Sequence, residues 1–194
     1  MTTSRKTILD KVRKNKPNLN ANIDLSPFLE DNNQDVVQRF RTALDENGGK
    51  SIILENEAEI GELISREING NPFVDCAGFA DLNVNTVAGE SPKNLAKIKT
   101  AIVRVELGVA ENGAIWLEDK NINGLRILPF IVENGIFILP KAKIVPTMHH
   151  AYRMLNQLPT GFGTFIAGPS KTGDIEQHLV VGAHGPLSHL VILI

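Results

Sequence analysis

Cysteine is nearly absent from this chain of 194 residues, which contains only Cys76. A single thiol cannot close an internal disulfide, and it cannot by itself hold an iron–sulfur cluster, which needs several thiolates. We therefore expect Cys76 to be a small buried or half-buried side chain rather than a nucleophile.

Long apolar runs and strong charge are also missing. No stretch approaches the roughly 18 apolar residues of a membrane span, and the polar N-terminus lacks the apolar segment of a secretory signal. We therefore expect a cytoplasmic protein with no membrane span. The formal net charge is -2, so the chain has no overall basic excess, and we expect no nucleic-acid partner.

The composition that remains is typical of a globular protein, with 42% hydrophobic and 22% charged residues. The length suits one ordinary domain with its own core. We predict an N-terminal helix and extended arm over residues 1–34 and an α/β domain over residues 35–194. The arm is suited to packing on another chain, so the sequence leaves open whether the protein forms a homo-oligomer.

Helical and strand-like segments alternate through the predicted domain. Apolar residues recur at helical spacing after Asp35 and again over residues 57–68. Strands are predicted at residues 51–54, 73–74, 101–107, 113–117, 127–128, 136–139, 165–167, 179–181 and 190–194. This alternation favours a single three-layer domain with a mixed or parallel sheet and helices on both faces.

Two glycine-containing loops carry polar side chains suited to chemistry. They read Gly168-Pro-Ser-Lys-Thr-Gly-Asp-Ile-Glu176 and Gly182-Ala-His-Gly-Pro186. The first offers hydroxyls, a cation and backbone N–H groups that suit a carboxylate or phosphate, although a tight turn with capping hydroxyls is the alternative. It is not a nucleotide P-loop, because proline stands where the lysine must be. The predicted ligand-binding residues are Gly168, Pro169, Ser170, Lys171, Thr172, Gly182 and Gly185.

The same loops contain groups able to transfer protons. Asp174 and Glu176 point to one side if their segment is extended, so one carboxylate is a candidate base, unless Asp174 only caps a turn. His184, flanked by a glycine on one side, suits proton transfer or anion binding, unless it is a hydrogen-bonded structural histidine. The histidine spacing does not predict a metal site.

A third candidate lies between two strand-like segments, where the chain reads Ala110-Glu-Asn-Gly-Ala-Ile115. Glu111 is either a solvated residue of a hairpin turn or a nucleophile. The Glu-Asn-Gly segment is similar to the one that carries the nucleophilic glutamate of class I coenzyme A transferases, which form an acyl-enzyme intermediate.

Together these three segments resemble the LUD-domain family, in its lactate utilization protein C branch. The chain departs from the family pattern at Asn112 and Ala114, where threonine is usual, and at Lys171-Thr172-Gly173, where Arg-Thr-Ala is usual. The resemblance implies the architecture shared by glucosamine-6-phosphate deaminase, ribose-5-phosphate isomerase and coenzyme A transferases. In that architecture the Gly168, Gly182 and Glu111 segments are expected to meet at one crevice at strand ends.

The resemblance also implies a part in bacterial oxidation of L-lactate to pyruvate, beside partner proteins that supply iron–sulfur clusters. We expect a subunit that binds a small organic anion at the Gly168 and His184 loops. Glu111, Asp174 and His184 are its predicted catalytic residues, and the sequence leaves the identity of any cofactor open. Two alternatives stay open: an enzyme acting on an acyl-coenzyme A or sugar phosphate through Glu111, and a non-catalytic assembly or regulatory subunit.

Overall fold

The computed structural model describes residues 4–16, 24–29, 35–79, 89–155, 161–173 and 180–194. Its internal contacts divide the chain into two units, Met1–Glu30 and Asp31–Ile194. The smaller unit contains helix α1 (Ser4–Lys14) and a short 3-10 helix (Ser26–Leu29). No helix within the described ranges has the length and apolar character needed to cross a membrane.

The first two helices of the larger unit begin and end close to the sequence predictions. Asp35 caps the first of them, because its carboxylate accepts hydrogen bonds from the N–H groups of Val37 and Gln38 at 3.1 and 3.0 Å. The helices are α2 (Val36–Glu46), α3 (Ala58–Ile68), α4 (Pro92–Leu95), α5 (Leu128–Ile131) and α6 (Met148–Leu155). Short 3-10 helices occupy Asp119–Ile122 and Lys141–Lys143.

The central sheet has five strands, and every neighbouring pair is parallel. Its strands are β1 (Lys50–Ile53), β2 (Phe73–Asp75), β3 (Thr100–Arg104), β6 (Asn134–Leu139) and β11 (Ser188–Leu193), in the spatial order β1-β11-β6-β3-β2. The inner strands β3, β6 and β11 are nearly continuous apolar runs, as expected for parallel strands buried on both faces.

A second sheet of four strands forms a separate layer. Its strands are β4 (Leu107–Val109), β5 (Ala114–Glu118), β7 (Ile144–Val145) and β8 (Gly163–Ile166), in the order β7-β4-β5-β8. Strand β4 is parallel to β7, whereas β4 with β5 and β5 with β8 are antiparallel. A two-stranded ribbon joins β9 (Lys171–Thr172) to β10 (Val180–Val181).

The core lies on both faces of the central sheet. Helix α3 covers one face, where Ile60 and Ile64 share a cluster with Ile102 of the sheet. The other face packs against α2 and the second sheet through residues such as Phe40 and Leu117. Helix α6 covers the outer face of the second sheet. The predicted α/β class with a mainly parallel sheet is confirmed, and the second sheet is a layer that the sequence pattern did not indicate.

The strand predicted at residues 127–128 is wrong. Residues 128–131 form helix α5, and Pro129 lies in its first turn. Proline suits that position because its fixed φ is helical and its missing N–H has no helical partner there. Leu128 and Pro129 are buried, whereas Ile127 is the N-cap residue and is 38% exposed. Residues 127–128 therefore form the start of a helical turn rather than a strand.

Candidate functional site

The glycine–proline turn (residues 168–171) follows strand β8 and requires glycine at its start. Gly168 has a φ of +75°, which favours glycine. A Cβ atom on Gly168 would also lie 2.4 Å from the carbonyl oxygen of Asn47, at the end of α2. The turn therefore rests on the end of that helix at a distance that only glycine permits.

Ser170 joins this turn to the histidine loop (residues 182–186). Its backbone N–H donates to the carbonyl oxygen of Pro186 at 2.8 Å, and its own carbonyl accepts from the N–H of Gly182 at 2.9 Å. A Cβ atom on Gly185 would lie 3.2 Å from Cβ of Ser170, so the two segments touch. The two predicted loops are therefore brought together by backbone hydrogen bonds.

A cavity of about 300 Å³ opens where the two segments meet. Its wall includes the exposed side chains of Lys171 and His184, together with apolar groups of Pro129, Phe130 and Phe165. A volume near the lower end of the range for ligand sites suits a small molecule. Gly168, Pro169, Ser170 and Gly185 complete the predicted residues found in this wall.

Two predicted ligand-binding residues shape the site from outside this wall. Thr172 pairs with Val180 in the β9–β10 ribbon. Gly182 has a φ of +81°, and a Cβ atom there would lie 2.1 Å from Cδ2 of Leu187. Both positions therefore set the path of the chain next to the cavity.

Glu111 lies in a different place. Its carboxylate oxygen Oε2 accepts a hydrogen bond from the N–H of Met148, the first residue of α6, at 2.8 Å. Anionic side chains are favoured at this end of a helix by the helix dipole. Glu111 lines a separate shallow depression with Arg39 and Thr42. The structure thus brings two of the three predicted segments into one cavity, and Glu111 is not part of that wall.

Asn47 connects the Glu111 turn to the glycine–proline turn, a role that the sequence analysis missed. Its side-chain Nδ2 donates to the carbonyl oxygen of Asn112 at 2.9 Å, and its own carbonyl oxygen faces Gly168. The available signal was an asparagine followed by Gly48-Gly49 at the end of a predicted helix. The predicted base Asp174 and its neighbour Glu176 lie outside the described residues.

The site lies at the amino edge of the central sheet. The histidine loop leads into β11 at Ser188, whose register partner is Asn134, the first residue of β6. The N–H of Leu187 donates to the carbonyl oxygen of Glu133 at 2.7 Å, which fixes the loop to the start of β6. Parallel α/β sheets usually bind ligands at the opposite, carboxyl edge.

Burial shifts the pKa values of two side chains near the sheet. Burial, and to a smaller extent the charge of Asp75, raises the pKa of the half-buried Cys76 thiol to about 12. Cys76 therefore stays protonated at neutral pH and is a poor nucleophile. Burial lowers the pKa of His189 to about 4, so its imidazole is neutral at pH 7 and does not add positive charge to the sheet edge.

Comparisons with known proteins assign the chain to a family. The model described as the LUD domain matches residues 86–194. Lactate utilization protein C of Oceanobacillus iheyensis is 26% identical over 176 residues, which cover 86% of this chain and 73% of that protein. Lactate utilization protein C of Shouchella clausii is 31% identical over 169 residues, covering 80% and 69%.

A solved structure supports the fold independently. The crystal structure of a DUF162 family protein from Deinococcus radiodurans superposes with a TM-score of 0.64 at 18% identity, covering 82% of this chain and 96% of that one. Since the family model spans more than half of the chain and includes the Glu111 turn, the glycine–proline turn and the histidine loop, this chain belongs to the LUD domain family.

Proposed function

We propose that this chain takes part in bacterial lactate utilization as a cytoplasmic subunit that binds a small organic anion. The anion would occupy the cavity between the glycine–proline turn and the histidine loop. The relatives from Oceanobacillus iheyensis and Shouchella clausii are both named lactate utilization protein C, which supports a part in lactate utilization. The chemistry of the cavity supports the class of ligand.

The observation that carries the proposal is the convergence of Lys171 and His184 on one small cavity. The lysine ammonium suits a carboxylate, and the imidazole suits a neighbouring hydroxyl or keto oxygen that gains or loses a proton. Phe130 and Phe165 offer an apolar surface for a methyl group. A three-carbon hydroxy acid or keto acid has these three parts.

In the proposed reaction, the electrons pass to other proteins. Oxidation of L-lactate to pyruvate removes two electrons and two protons, and the single thiol Cys76 cannot hold an iron–sulfur cluster. We propose that iron–sulfur partner proteins accept the electrons. In this arrangement Lys171 would hold the carboxylate and His184 would receive the hydroxyl proton. The Cα–H bond would break, its hydrogen leaving as a proton to solvent while the two electrons pass to the partner proteins.

Binding can be tested by thermal denaturation with L-lactate or pyruvate, and with propionate as an anion that lacks the second oxygen. A ligand at a hundredfold excess over its dissociation constant stabilises the folded protein by about 2.7 kcal/mol. We expect L-lactate or pyruvate to raise the melting temperature more than propionate. Lys171→Gln and His184→Ala should remove the shift, and Lys93→Gln, at an exposed lysine of α4, should retain it.

No shift with any of these anions, or equal shifts in the Lys171 and Lys93 variants, would contradict the anion site. The assembly-subunit alternative would then be favoured if the variants still support growth on lactate and still co-purify with partner proteins.

The coenzyme A transferase-like alternative has a separate test. The Glu111 carboxylate accepts a hydrogen bond at the start of α6, which favours a capping role over a free nucleophile. Incubation with acetyl-coenzyme A followed by hydroxylamine should leave Glu111 unmodified. A hydroxamate on Glu111, detected by mass spectrometry and absent in Glu111→Gln, would support the transferase instead.

A further inference from the structure

The indole of Trp116 is held rigidly on the outer face of the second sheet. Its Nε1–H donates to Oε1 of Glu118 at 2.8 Å, and its ring centroid lies 4.6 Å from that of Phe165 on the neighbouring strand. A Cβ atom on Gly163 would lie 2.0 Å from Cζ2 of Trp116, so the ring lies directly against bare backbone. The indole is therefore fixed in one orientation, with its polar N–H already satisfied.

A second cavity, of about 320 Å³, opens beside this ring. Leu107 and Leu155 contribute buried apolar surface to its wall. Met154, which is 43% exposed, adds a flexible thioether at the end of α6. Methionine adapts to ligands of varied shape and makes favourable contacts with aromatic rings. The wall is therefore suited to a flat apolar group placed against Trp116.

Among the described residues, two lysines lie at the rim of this cavity, and one of them has no carboxylate at ion-pair distance. Nζ of Lys120 lies 3.1 Å from Oε2 of Glu118 and 3.6 Å from Oε1 of Glu106, so its charge is compensated. Lys143 also reaches the rim and is exposed. Within the described ranges, Lys143 has no carboxylate at ion-pair distance, which leaves it available to an anionic group.

We propose that this cavity binds a planar aromatic molecule that carries a carboxylate. The ring stacks on the indole of Trp116, and the carboxylate pairs with Lys143. Aromatic pairs gain stability beyond their buried area when the rings are offset or tilted. The site has different lining residues from the proposed lactate site, and the inference does not depend on lactate binding.

Trp116 provides a direct readout because it is the only tryptophan of the chain. We would titrate the full chain with 4-nitrobenzoate, a planar aromatic carboxylate that quenches tryptophan, and with the uncharged analogue 4-nitrobenzamide. Free N-acetyltryptophanamide measures collisional quenching. We expect 4-nitrobenzoate to quench Trp116 saturably and to bind more tightly than 4-nitrobenzamide.

Two exposed positions test the geometry without disturbing the core. Lys143→Gln should weaken the binding of 4-nitrobenzoate by up to about fivefold, as expected for an exposed ion pair. The same substitution should leave the affinity for 4-nitrobenzamide unchanged. Met154→Glu should weaken the binding of 4-nitrobenzoate further, because the new carboxylate repels that of the ligand. Lys171→Gln, in the other cavity, should change neither titration. Quenching that stays linear like that of the free indole, or equal 4-nitrobenzoate affinities in the Lys143→Gln and unsubstituted chains, would overturn the proposal.

Discussion

The imidazole of His189 makes the free energy of unfolding sensitive to mild acid. His189 is 2% exposed, lies on β11 and packs against the ring of Phe137 at 4.6 Å between centroids. Neither ring nitrogen has a hydrogen-bond partner among the described residues. A buried polar atom without a hydrogen-bond partner lowers stability by about 1–3 kcal/mol. A protein with leucine, which is of similar size, at position 189 should therefore be more stable.

The pH dependence follows from the pKa of His189, which burial lowers from 6.5 to about 4. Between these values the unfolded chain binds a proton that the folded chain resists, so the free energy of unfolding falls as the pH falls from about 6.5 to about 4. This pKa shift corresponds to a change of about 3 kcal/mol in the free energy of unfolding. His189→Leu should therefore be more stable at pH 7, and its advantage should grow by about that amount toward pH 4.

Urea denaturation followed by Trp116 fluorescence at several pH values between 4 and 7 measures this difference. The difference in free energy of unfolding between the variant and the unsubstituted protein removes the contributions of carboxylates common to both. His149→Gln, at an exposed histidine, controls for the loss of one imidazole. A His189→Leu protein that is less stable at pH 7, with a difference that does not change on acidification, would refute the reasoning.

Three further alanine substitutions, two of them paired with a control variant, test local contacts by thermal or urea denaturation. Gly168→Ala should destabilise the protein by about 1–3 kcal/mol because of its positive φ and the close backbone at the end of α2. Gly173→Ala, where no described residue comes within 4 Å of the added Cβ, should have little effect, and equal losses would contradict this. Asp35→Ala should cost about 1 kcal/mol and Asp35→Asn much less, because only alanine removes the cap of α2. Glu111→Ala should cost about 1 kcal/mol at the start of α6, and an unchanged stability would show that the cap is not formed in solution.

Local patterns predicted the elements whose signals are short-range. Helix α2 has its cap at Asp35, apolar residues at helical spacing and a stop at Gly48-Gly49, and the structure has it at Val36–Glu46. The bend near Glu111 was predicted in the same way, from the break between two apolar segments. These features depend on neighbours within a few residues, which a sequence pattern records directly.

The failures came from interactions between distant segments. Residues 127–128 have the composition of a strand, but Ile127 is the N-cap residue of α5, and Leu128 begins the helix and is buried in the core. The strands of the second sheet were mostly recognised, yet nothing in their sequences indicated that β5 pairs with β8 rather than joining the central sheet. Pairing of strands depends on which faces are buried together, and a single sequence does not state it.

The sequence by itself determined the α/β class, the positions of helices α2 and α3 and the two loops that carry Ser170 and His184, because turn-forming glycines and apolar periodicity act locally. The tertiary structure alone decided that these loops share one cavity at the amino edge of the sheet and that Glu111 lies outside its wall, at the start of α6. It also decided that His189 is buried with no hydrogen-bond partner among the described residues. Those outcomes depend on hydrogen bonds and packing between residues far apart in the chain, whose geometry exists only once the sheets have assembled.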